Sequence, residues 1–290
     1  MLTCAEFRMR VTQGLHILDG ATGSNLMKQG MPRGCCAEEW ILAHPDALLQ
    51  LQRSYAQAGS QIIYAPTFQA QPIALERVAL DRQTEAVNAQ LVALSRAAAP
   101  GCLIAGNLTT LAAFCDSWDE GSFDLLVENY RRQIRGLIDG GADLLAAETL
   151  LYPVEAEAIL TAAELENAGA SMYSFTMQPD GSLFSGRDAG PVLKSLEDAG
   201  AAAVGFNCVA ADNFTAGLVS KLRRYVSIPL ICKPNAGIPT IGEDQIPHYS
   251  QSPAEFASIV RDAANMGADL VGGCCGTDPE FIAALKSAIA

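Results

Sequence analysis

The sequence predicts one (β/α)8 barrel that spans residues 1–290 as a single domain. Eight short apolar runs alternate with eight longer helical patterns. Most of the runs are continuously apolar, which is typical of parallel strands covered on both faces. A glycine recurs between a helix and the next strand, where it permits the left-handed turn that ends a helix. No linker divides the chain, so a closed barrel is favoured over the alternative, an open doubly wound sheet.

Each predicted element follows from this alternation. The strands are predicted at His16–Asp19, Gln61–Thr67, Leu103–Leu108, Leu144–Glu148, Met172–Met177, Ala202–Asn207, Leu230–Pro234 and Asp269–Gly273. The helices are predicted at Asp46–Ala58, Pro72–Ala98, Phe123–Asp139, Pro153–Asn167, Ala189–Ala199, Asn213–Tyr225, Pro253–Met266 and Pro279–Ile289. The glycines expected to end helices are Gly59, Gly141, Gly169, Gly200 and Gly267.

The composition excludes several classes of protein. Half of the residues are hydrophobic and 18% are charged, which allows a large core. The net charge of −13 argues against binding to nucleic acid or to an anionic membrane, because both select basic surfaces. The sequence has no apolar stretch of membrane-spanning length and no signal-peptide core at its start, so a cytoplasmic protein is expected. Nine cysteines, an odd number, favour metal or redox chemistry over disulfide bonds.

Three cysteines follow strands of the predicted barrel. Cys208 ends the sixth strand, and Cys274 and Cys275 follow the eighth within the glycine-rich run 272–276. The carboxyl ends of barrel strands converge on one face, which we call the mouth, and catalytic groups lie there. Three thiols are sufficient for a catalytic zinc site, which keeps its fourth position open for substrate. The alternatives are three ordinary buried cysteines or a vicinal disulfide.

Other polar residues also end predicted strands and are expected at the same mouth. They are Asp19, Thr67, Glu148 and Asn235. Cys35 and Cys36 lie in the loop after the first strand and could approach the mouth, although an exposed loop pair is favoured.

The motifs that contain these residues resemble those of the homocysteine S-methyltransferases, in particular the homocysteine-binding barrel of cobalamin-dependent methionine synthase. The most specific motif is Gly272-Gly273-Cys274-Cys275-Gly276-Thr277. The others are Leu18-Asp19-Gly20-Ala21-Thr22-Gly23, Thr67-Phe68, Glu148-Thr149, Asn207-Cys208 and Lys233-Pro234-Asn235-Ala236-Gly237. The resemblance implies that Cys208, Cys274 and Cys275 bind zinc and that the sulfur of homocysteine becomes the fourth ligand. It also implies that Asn235 is a labile fourth ligand when substrate is absent.

The resemblance further implies how the amino acid part of homocysteine is held. Asp19 and the backbone of Gly20 and Ala21 would bind this part of the substrate. Glu148 would contact the substrate ammonium, and Thr67 would form a wall of the same pocket. One departure concerns the third strand, which ends with Ala105-Gly106-Asn107-Leu108-Thr109-Thr110, where family members commonly have an aspartate and a Gly-Pro turn. The approach of the methyl donor is therefore expected to differ.

The implied reaction is methyl transfer to the homocysteine thiolate, which gives methionine. The segment from Asn235 to Pro253 resembles the methionine synthase type, so the expected donor is a separate corrinoid protein that carries methylcobalamin. Betaine or S-methylmethionine is the alternative donor. Trp40, in a loop at the mouth, and Trp118 are the only tryptophans, so no aromatic cage for a quaternary ammonium is evident. A second hypothesis is a non-catalytic zinc-binding subunit of a corrinoid methyltransferase complex.

Overall fold

The computed structural model describes residues 1–12, 14–114, 120–242 and 247–289. Their strands are β1 His16–Ile17, β2 Ile62–Tyr64, β3 Leu103–Thr109, β4 Leu144–Leu150, β5 Ser171–Phe175, β6 Ala203–Ala210, β7 Leu230–Asn235, β8 Thr240–Ile241, β9 Pro247–His248 and β10 Leu270–Val271. Eight of these strands form one parallel sheet in the order β1-β10-β7-β6-β5-β4-β3-β2, and β8 pairs antiparallel with β9 in a separate hairpin.

The parallel sheet closes into a barrel. A parallel bridge between Leu18 and Ile62 joins its first and last strands. The amide of Gln61 also donates to the carbonyl of Ile17 at 2.7 Å. This closure confirms the predicted (β/α)8 architecture and brings the carboxyl ends of the eight strands to one mouth.

Twelve α-helices lie in the described residues. They are α1 Cys4–Val11, α2 Gly23–Lys28, α3 Ala37–Ala43, α4 Pro45–Ala58, α5 Pro72–Leu75, α6 Thr84–Ala98, α7 Glu120–Asp139, α8 Pro153–Leu165, α9 Ala189–Asp198, α10 Thr215–Arg223, α11 Pro253–Asn265 and α12 Pro279–Ile289. Eight of them, α4 and α6 to α12, form an outer ring in which each helix contacts the next. Within the described residues, no helix is long and apolar enough to span a bilayer.

Helix α1 closes the end of the barrel opposite the mouth. Its Phe7 and Val11 are buried with the apolar side chains inside the barrel, among them Leu144 and Met172. Just before α1, the amide of Leu2 donates to the carbonyl of Asp143 at 2.7 Å. The first residues of the chain therefore complete the barrel core from below.

Three details differ from the sequence predictions. The helix predicted over Pro72–Ala98 is interrupted by two 3-10 turns, and Ala79 there takes a left-handed φ of 56°. Four of the five predicted glycine caps have positive φ, but at the fifth turn Asn167, with a φ of 51°, replaces Gly169. A short polar side chain tolerates that conformation, so the turn does not require glycine. The strands β1 and β10 each contain only two residues.

Candidate metal centre and substrate site

The mouth of the barrel brings together the three cysteines predicted to be ligands. The Sγ atoms of Cys208, Cys274 and Cys275 all lie within 4.8 Å of one another. The Sγ atoms of Cys208 and Cys275 are 3.9 Å apart. A tetrahedral zinc ion with Zn–S bonds of about 2.3 Å requires sulfurs about 3.8 Å apart. The cluster therefore has the size and the donor set of a zinc site.

Backbone hydrogen bonds hold the two adjacent cysteines against the end of β7. The amide of Cys274 donates to the carbonyl of Pro234 at 2.7 Å, and the amide of Ala236 donates to the carbonyl of Cys275 at 2.9 Å. The amide of Cys275 donates to Asn235 Oδ1 at 3.0 Å. Gly276 then turns the chain with a φ of +82°, a conformation that favours glycine. This loop directs both neighbouring thiols into the cluster.

Irregularities in two neighbouring regions of the barrel position Cys208. Cys208 has a φ of 56° and lies where the pairing of β6 with β7 shifts register. Thr149 has a φ of 59° and lies at a similar shift between β4 and β5. Asn207 joins the two: its Oδ1 accepts from the amide of Thr149 at 2.7 Å and its Nδ2 donates to Thr149 Oγ1 at 2.8 Å. Its Nδ2 also lies 3.8 Å from the Sγ of Cys274. The bulges re-aim these side chains toward the mouth.

The three thiols perturb one another strongly. Hydrogen bonds to Cys274 and Cys275, with burial, raise the pKa of Cys208 far above its ordinary value. Hydrogen bonds from Cys208 and Cys274 lower the pKa of Cys275. Three thiols packed this closely resist ionising together. A divalent cation is the partner that lets all three ionise.

A buried charged group lies beside the thiols. Lys233 Nζ is 3.3 Å from Glu148 Oε2 and 3.7 Å from Asp19 Oδ1, and it lies 4.7 Å from the centre of the Tyr64 ring. The side chains of Lys233, Asp19 and Glu148 are 4%, 1% and 9% exposed. Buried charges are stable only when they are paired and hydrogen-bonded, so the positions of these three side chains depend on one another.

Two buried oxygens at this site have no hydrogen-bond partner within the described residues. They are Asp19 Oδ1 and Asn107 Oδ1. The second carboxylate oxygen of Asp19 accepts from the amide of Tyr64 at 2.8 Å, and Asn107 Nδ2 donates to Glu148 Oε1 at 2.8 Å. An unsatisfied buried acceptor costs about 1–3 kcal/mol. The site is therefore prepared for a ligand that donates several hydrogen bonds.

The charges of this site depend on burial and on Lys233. Burial raises the pKa of Asp19 to about 7, and Lys233 opposes the rise. Burial also raises the pKa of Glu148, again against the effect of Lys233. Burial lowers the pKa of Lys233, but Glu148 and Asp19 outweigh it and raise that pKa well above its ordinary value. Lys233 is therefore a fixed cation at neutral pH.

Comparison with known proteins identifies the family. The family model for homocysteine S-methyltransferase matches residues 16–289. The chain belongs to the homocysteine S-methyltransferase family. It is 30% identical to the homocysteine S-methyltransferase of Escherichia coli strain K12 over 95% of each protein. The crystal structure of the homocysteine methyltransferase MmuM from E. coli in its metallated form superposes with a TM-score of 0.83, at 26% identity, over 96% of this chain and 98% of that chain.

A second crystal structure of MmuM, in its oxidized form, gives a TM-score of 0.80 at 27% identity over 94% of this chain and 95% of that chain. A methyltransferase from Methanosarcina mazei, 14% identical with a TM-score of 0.65, shares the fold. These similarities confirm the family inferred from the motifs and the prediction of a methyltransferase enzyme. The alternative of a non-catalytic zinc-binding subunit finds no support in them.

The other residues that the family motif suggested have defined surroundings. A Cβ added at Gly20 would lie 2.6 Å from the hydroxyl of Tyr55, so this position has no room for a side chain. The amide of Ala21 donates to Thr277 Oγ1 at 3.3 Å. The hydroxyl of Thr67 donates to the carbonyl of Asn107 at 2.9 Å and accepts from its amide at 3.0 Å. Thr67 therefore supports β3 with its hydroxyl, and its role as a pocket wall stays a prediction.

Two predictions about the loop after β1 require correction. Cys36 is only 3% exposed and its Sγ donates to Glu38 Oε2 at 3.4 Å, so the pair with Cys35 is not a fully exposed loop pair. Neither cysteine belongs to the sulfur cluster found among the described residues. Trp40 lies in helix α3 and stacks on His44 with ring centres 4.5 Å apart. Trp118 and Cys115 lie outside the described residues.

Four further residues shape the site although their positions in the sequence did not predict a role. They are Lys233, Asn207, Asn107 and Tyr249. The ring of Tyr249 packs against Gly276, and its hydroxyl hydrogen-bonds to Cys275. One signal was present: a lysine within the apolar run 230–234 must find a buried partner, and Lys233 has two. The other three lie near the site only because the fold brings them there.

Proposed function

We propose that the chain is a zinc-dependent methyltransferase that moves a methyl group to the thiolate of homocysteine and so makes methionine. The observation that carries this proposal is the cluster of three Sγ atoms within 4.8 Å at the mouth of a barrel of this family. Zinc would be held by Cys208, Cys274 and Cys275. When bound, it would ionise the acceptor thiol and hold the sulfur in its fourth position.

The amino acid part of homocysteine would occupy the buried site beside the thiols. Its ammonium carries three N–H donors, and Asp19 Oδ1, Asn107 Oδ1 and the carboxylate of Glu148 supply acceptors. Above the pKa of about 7 that burial gives Asp19, the site contains two carboxylates and the protonated Lys233, and its net charge of −1 matches one ammonium. The backbone at Gly20 and Ala21 would lie against the substrate carboxylate, and the space beside the Cα of Gly20 is already filled by Tyr55 and Thr277.

The chain's own residues would contribute positioning. Two anchored ends, the sulfur at the thiol cluster and the ammonium at the buried carboxylates, leave homocysteine one orientation toward the donor. The sulfur lone pair then forms the S–CH3 bond as the bond from methyl to the donor breaks, and the donor leaves with that electron pair. The thiol proton departs before this step, so atoms and charge balance. Asn235, which holds the amide of Cys275, would be the labile fourth ligand in the absence of substrate.

For the methyl donor we favour a separate corrinoid protein that carries methylcobalamin. The segment after Asn235 exposes Ile238, just before β8, and Ile241, within β8, at 68% and 63%. Apolar side chains exposed beside a reaction site favour contact with a protein donor. Betaine and S-methylmethionine are the competing donors. Trp40 is stacked on His44 within a helix and so contributes little to a cage for either of them.

We also propose that the protein acts in the cytoplasm. All eight cysteines in the described part of the chain are free, and a thiol cluster of this kind needs a reducing compartment to keep its ligands available.

The test is a donor panel combined with metal analysis. Purified protein is expected to contain one zinc per chain and to form methionine from homocysteine with methylcobalamin. The panel is repeated with betaine and with S-methylmethionine. Turnover with either small onium donor, and none with methylcobalamin, would replace the corrinoid donor. A metal-free protein with full turnover, or no methionine with any of the three donors, would overturn the proposed function.

A further inference from the structure

Lys233 lies at the centre of the buried site, and the family motif gave it no role. Its Nζ is 3.3 Å from Glu148 Oε2 and 3.7 Å from Asp19 Oδ1. These two carboxylates are far apart in the sequence: Asp19 follows β1, and Glu148 lies within β4. One lysine from β7 therefore bridges both groups that are proposed to bind the substrate ammonium.

The effect of this lysine follows from a charge count. Two carboxylates buried near each other without a cation share a proton, because like charges in a poorly solvated site resist ionisation together. A protonated carboxyl is a hydrogen-bond donor and cannot accept a bond from an ammonium. With Lys233 present the two carboxylates and the lysine sum to −1, so one further cation brings the site to neutrality.

We propose that Lys233 is a positioning residue that keeps Asp19 and Glu148 ionised and aligned, so that the two carboxylates together accept one substrate ammonium. This inference rests on the proposed function. It deepens that function by assigning part of the affinity for the amino group of the acceptor to a lysine that acts through the two carboxylates.

The inference predicts a particular dependence on pH. The titratable groups that face Lys233 are Asp19 after β1, Tyr64 in β2 and Glu148 in β4. Tyr55 in α4 and Cys274 and Cys275 after β10 also interact with it electrostatically. Removing the lysine removes the cation that lowers both carboxyl pKa values, so these values rise. At low pH the variant then holds an extra proton and binds homocysteine poorly. As the pH rises that proton leaves and the defect shrinks.

The experiment compares Lys233→Met with the wild type between pH 6.5 and 8.5. The KM for homocysteine is expected to rise at least tenfold at pH 6.5, and the ratio of variant to wild-type KM to fall at least threefold by pH 8.5, with zinc content unchanged. Lys233→Arg retains the charge and is expected to keep a flat ratio. Cys232→Ala, which changes the adjacent buried residue of β7, is the control for damage to the strand and should also give a flat ratio. A ratio for Lys233→Met that does not vary with pH would overturn the inference.

A second measurement uses the wild-type protein alone, so it does not depend on whether the variants fold. Methionine carries the same ammonium as homocysteine but has no thiol proton. Calorimetric titration with methionine at pH 8 in two buffers of different ionisation enthalpy is expected to show almost no proton release. Release of nearly one proton would show that the carboxylates are protonated despite Lys233. If the wild type forms no methionine from homocysteine with any donor, the proposed function itself fails instead.

Discussion

The Sγ atoms of Cys208 and Cys275 lie 3.9 Å apart although 67 residues separate them in the chain. Two different strands of the barrel carry them to the same mouth, and hydrogen bonds fix the backbone on each side. The amide of Cys275 is held by Asn235, and the residue before Cys208 is tied to Thr149. A site whose ligands are fixed by the fold in this way is sensitive to changes in the ligands and in the backbone that presents them.

Removal of one sulfur should abolish both metal binding and turnover. Cys208→Ser replaces a thiolate by a poor zinc ligand and leaves only two sulfurs. Zinc content and the rate of methionine formation are therefore both expected to fall below a tenth of the wild-type values. Cys35→Ser is the control, because Cys35 bonds to the carbonyl of Pro32 and lies outside the cluster. Metal analysis and turnover of the two variants check the prediction. A Cys208→Ser protein with full zinc and full activity would contradict the ligand assignment.

The turn after the paired cysteines should require glycine for two separate reasons. Gly276 has a φ of +82°, and a Cβ there would lie 2.4 Å from the ring of Tyr249. Gly276→Ala should therefore lower the free energy of unfolding by about 1–2 kcal/mol or more and also weaken zinc binding. Gly34→Ala has a similar φ of +72° with nothing within 4 Å, so it should lower stability alone. Chelator competition and denaturant unfolding separate the effects, and equal zinc affinity in both variants would refute the steric argument.

Asn207 should link stability to metal affinity. Asn207→Ala removes the acceptor for the Thr149 amide and the donor near the Sγ of Cys274. Unfolding should become easier by about 1–3 kcal/mol, and zinc affinity should fall by about 10-fold to 100-fold, as it does when outer hydrogen bonds to metal ligands are lost. Ser174→Ala is the comparison, because it removes only one hydrogen bond to Asn207 Oδ1. It should cost about 1 kcal/mol and leave zinc affinity within twofold. Unchanged zinc affinity in Asn207→Ala would contradict the link.

Helix α1 should contribute to stability without affecting chemistry. Phe7 is fully buried at the closed end of the barrel, so Phe7→Ala should lower the free energy of unfolding by about 3–5 kcal/mol. Met9 lies on the same helix and is 60% exposed, so Met9→Ala should change that free energy by less than about 0.5 kcal/mol. Denaturant titration measures both. At temperatures where Phe7→Ala is folded, its zinc content should equal that of the wild type, and a loss of zinc would show that α1 influences the mouth.

The sequence was sufficient to predict the barrel and the three thiols. The alternation of strands and helices follows from the local periodicity of apolar residues, which is visible in the sequence itself. The carboxyl ends of the strands in such a barrel meet at one face, so the fold class alone predicts that Cys208, Cys274 and Cys275 lie together. The closed eight-stranded sheet confirms the predicted barrel, and the cluster of the three sulfurs confirms that they lie together.

Local conformation was less predictable in the turns and loops between the main elements. Ala79 breaks the predicted helix over Pro72–Ala98 in a left-handed turn, and Asn167 takes the place expected of Gly169. Cys36 was predicted to belong to an exposed loop pair but is buried beside Glu38. Ala79 and Asn167 are exposed, so their left-handed conformations belong to the local turns, whereas Cys36 is buried against the core.

The chain by itself determined which residues could carry the chemistry: thiols at strand ends, two carboxylates at strand ends, and a lysine inside an apolar run. Only the tertiary structure decided that Lys233 lies between Asp19 and Glu148 and that Asn207 ties two bulged strands together. The physical reason is the distance along the chain over which each effect acts. Periodicity and residue chemistry act within a few positions, whereas the pairing of buried charges depends on distances between side chains that only closure of the barrel fixes.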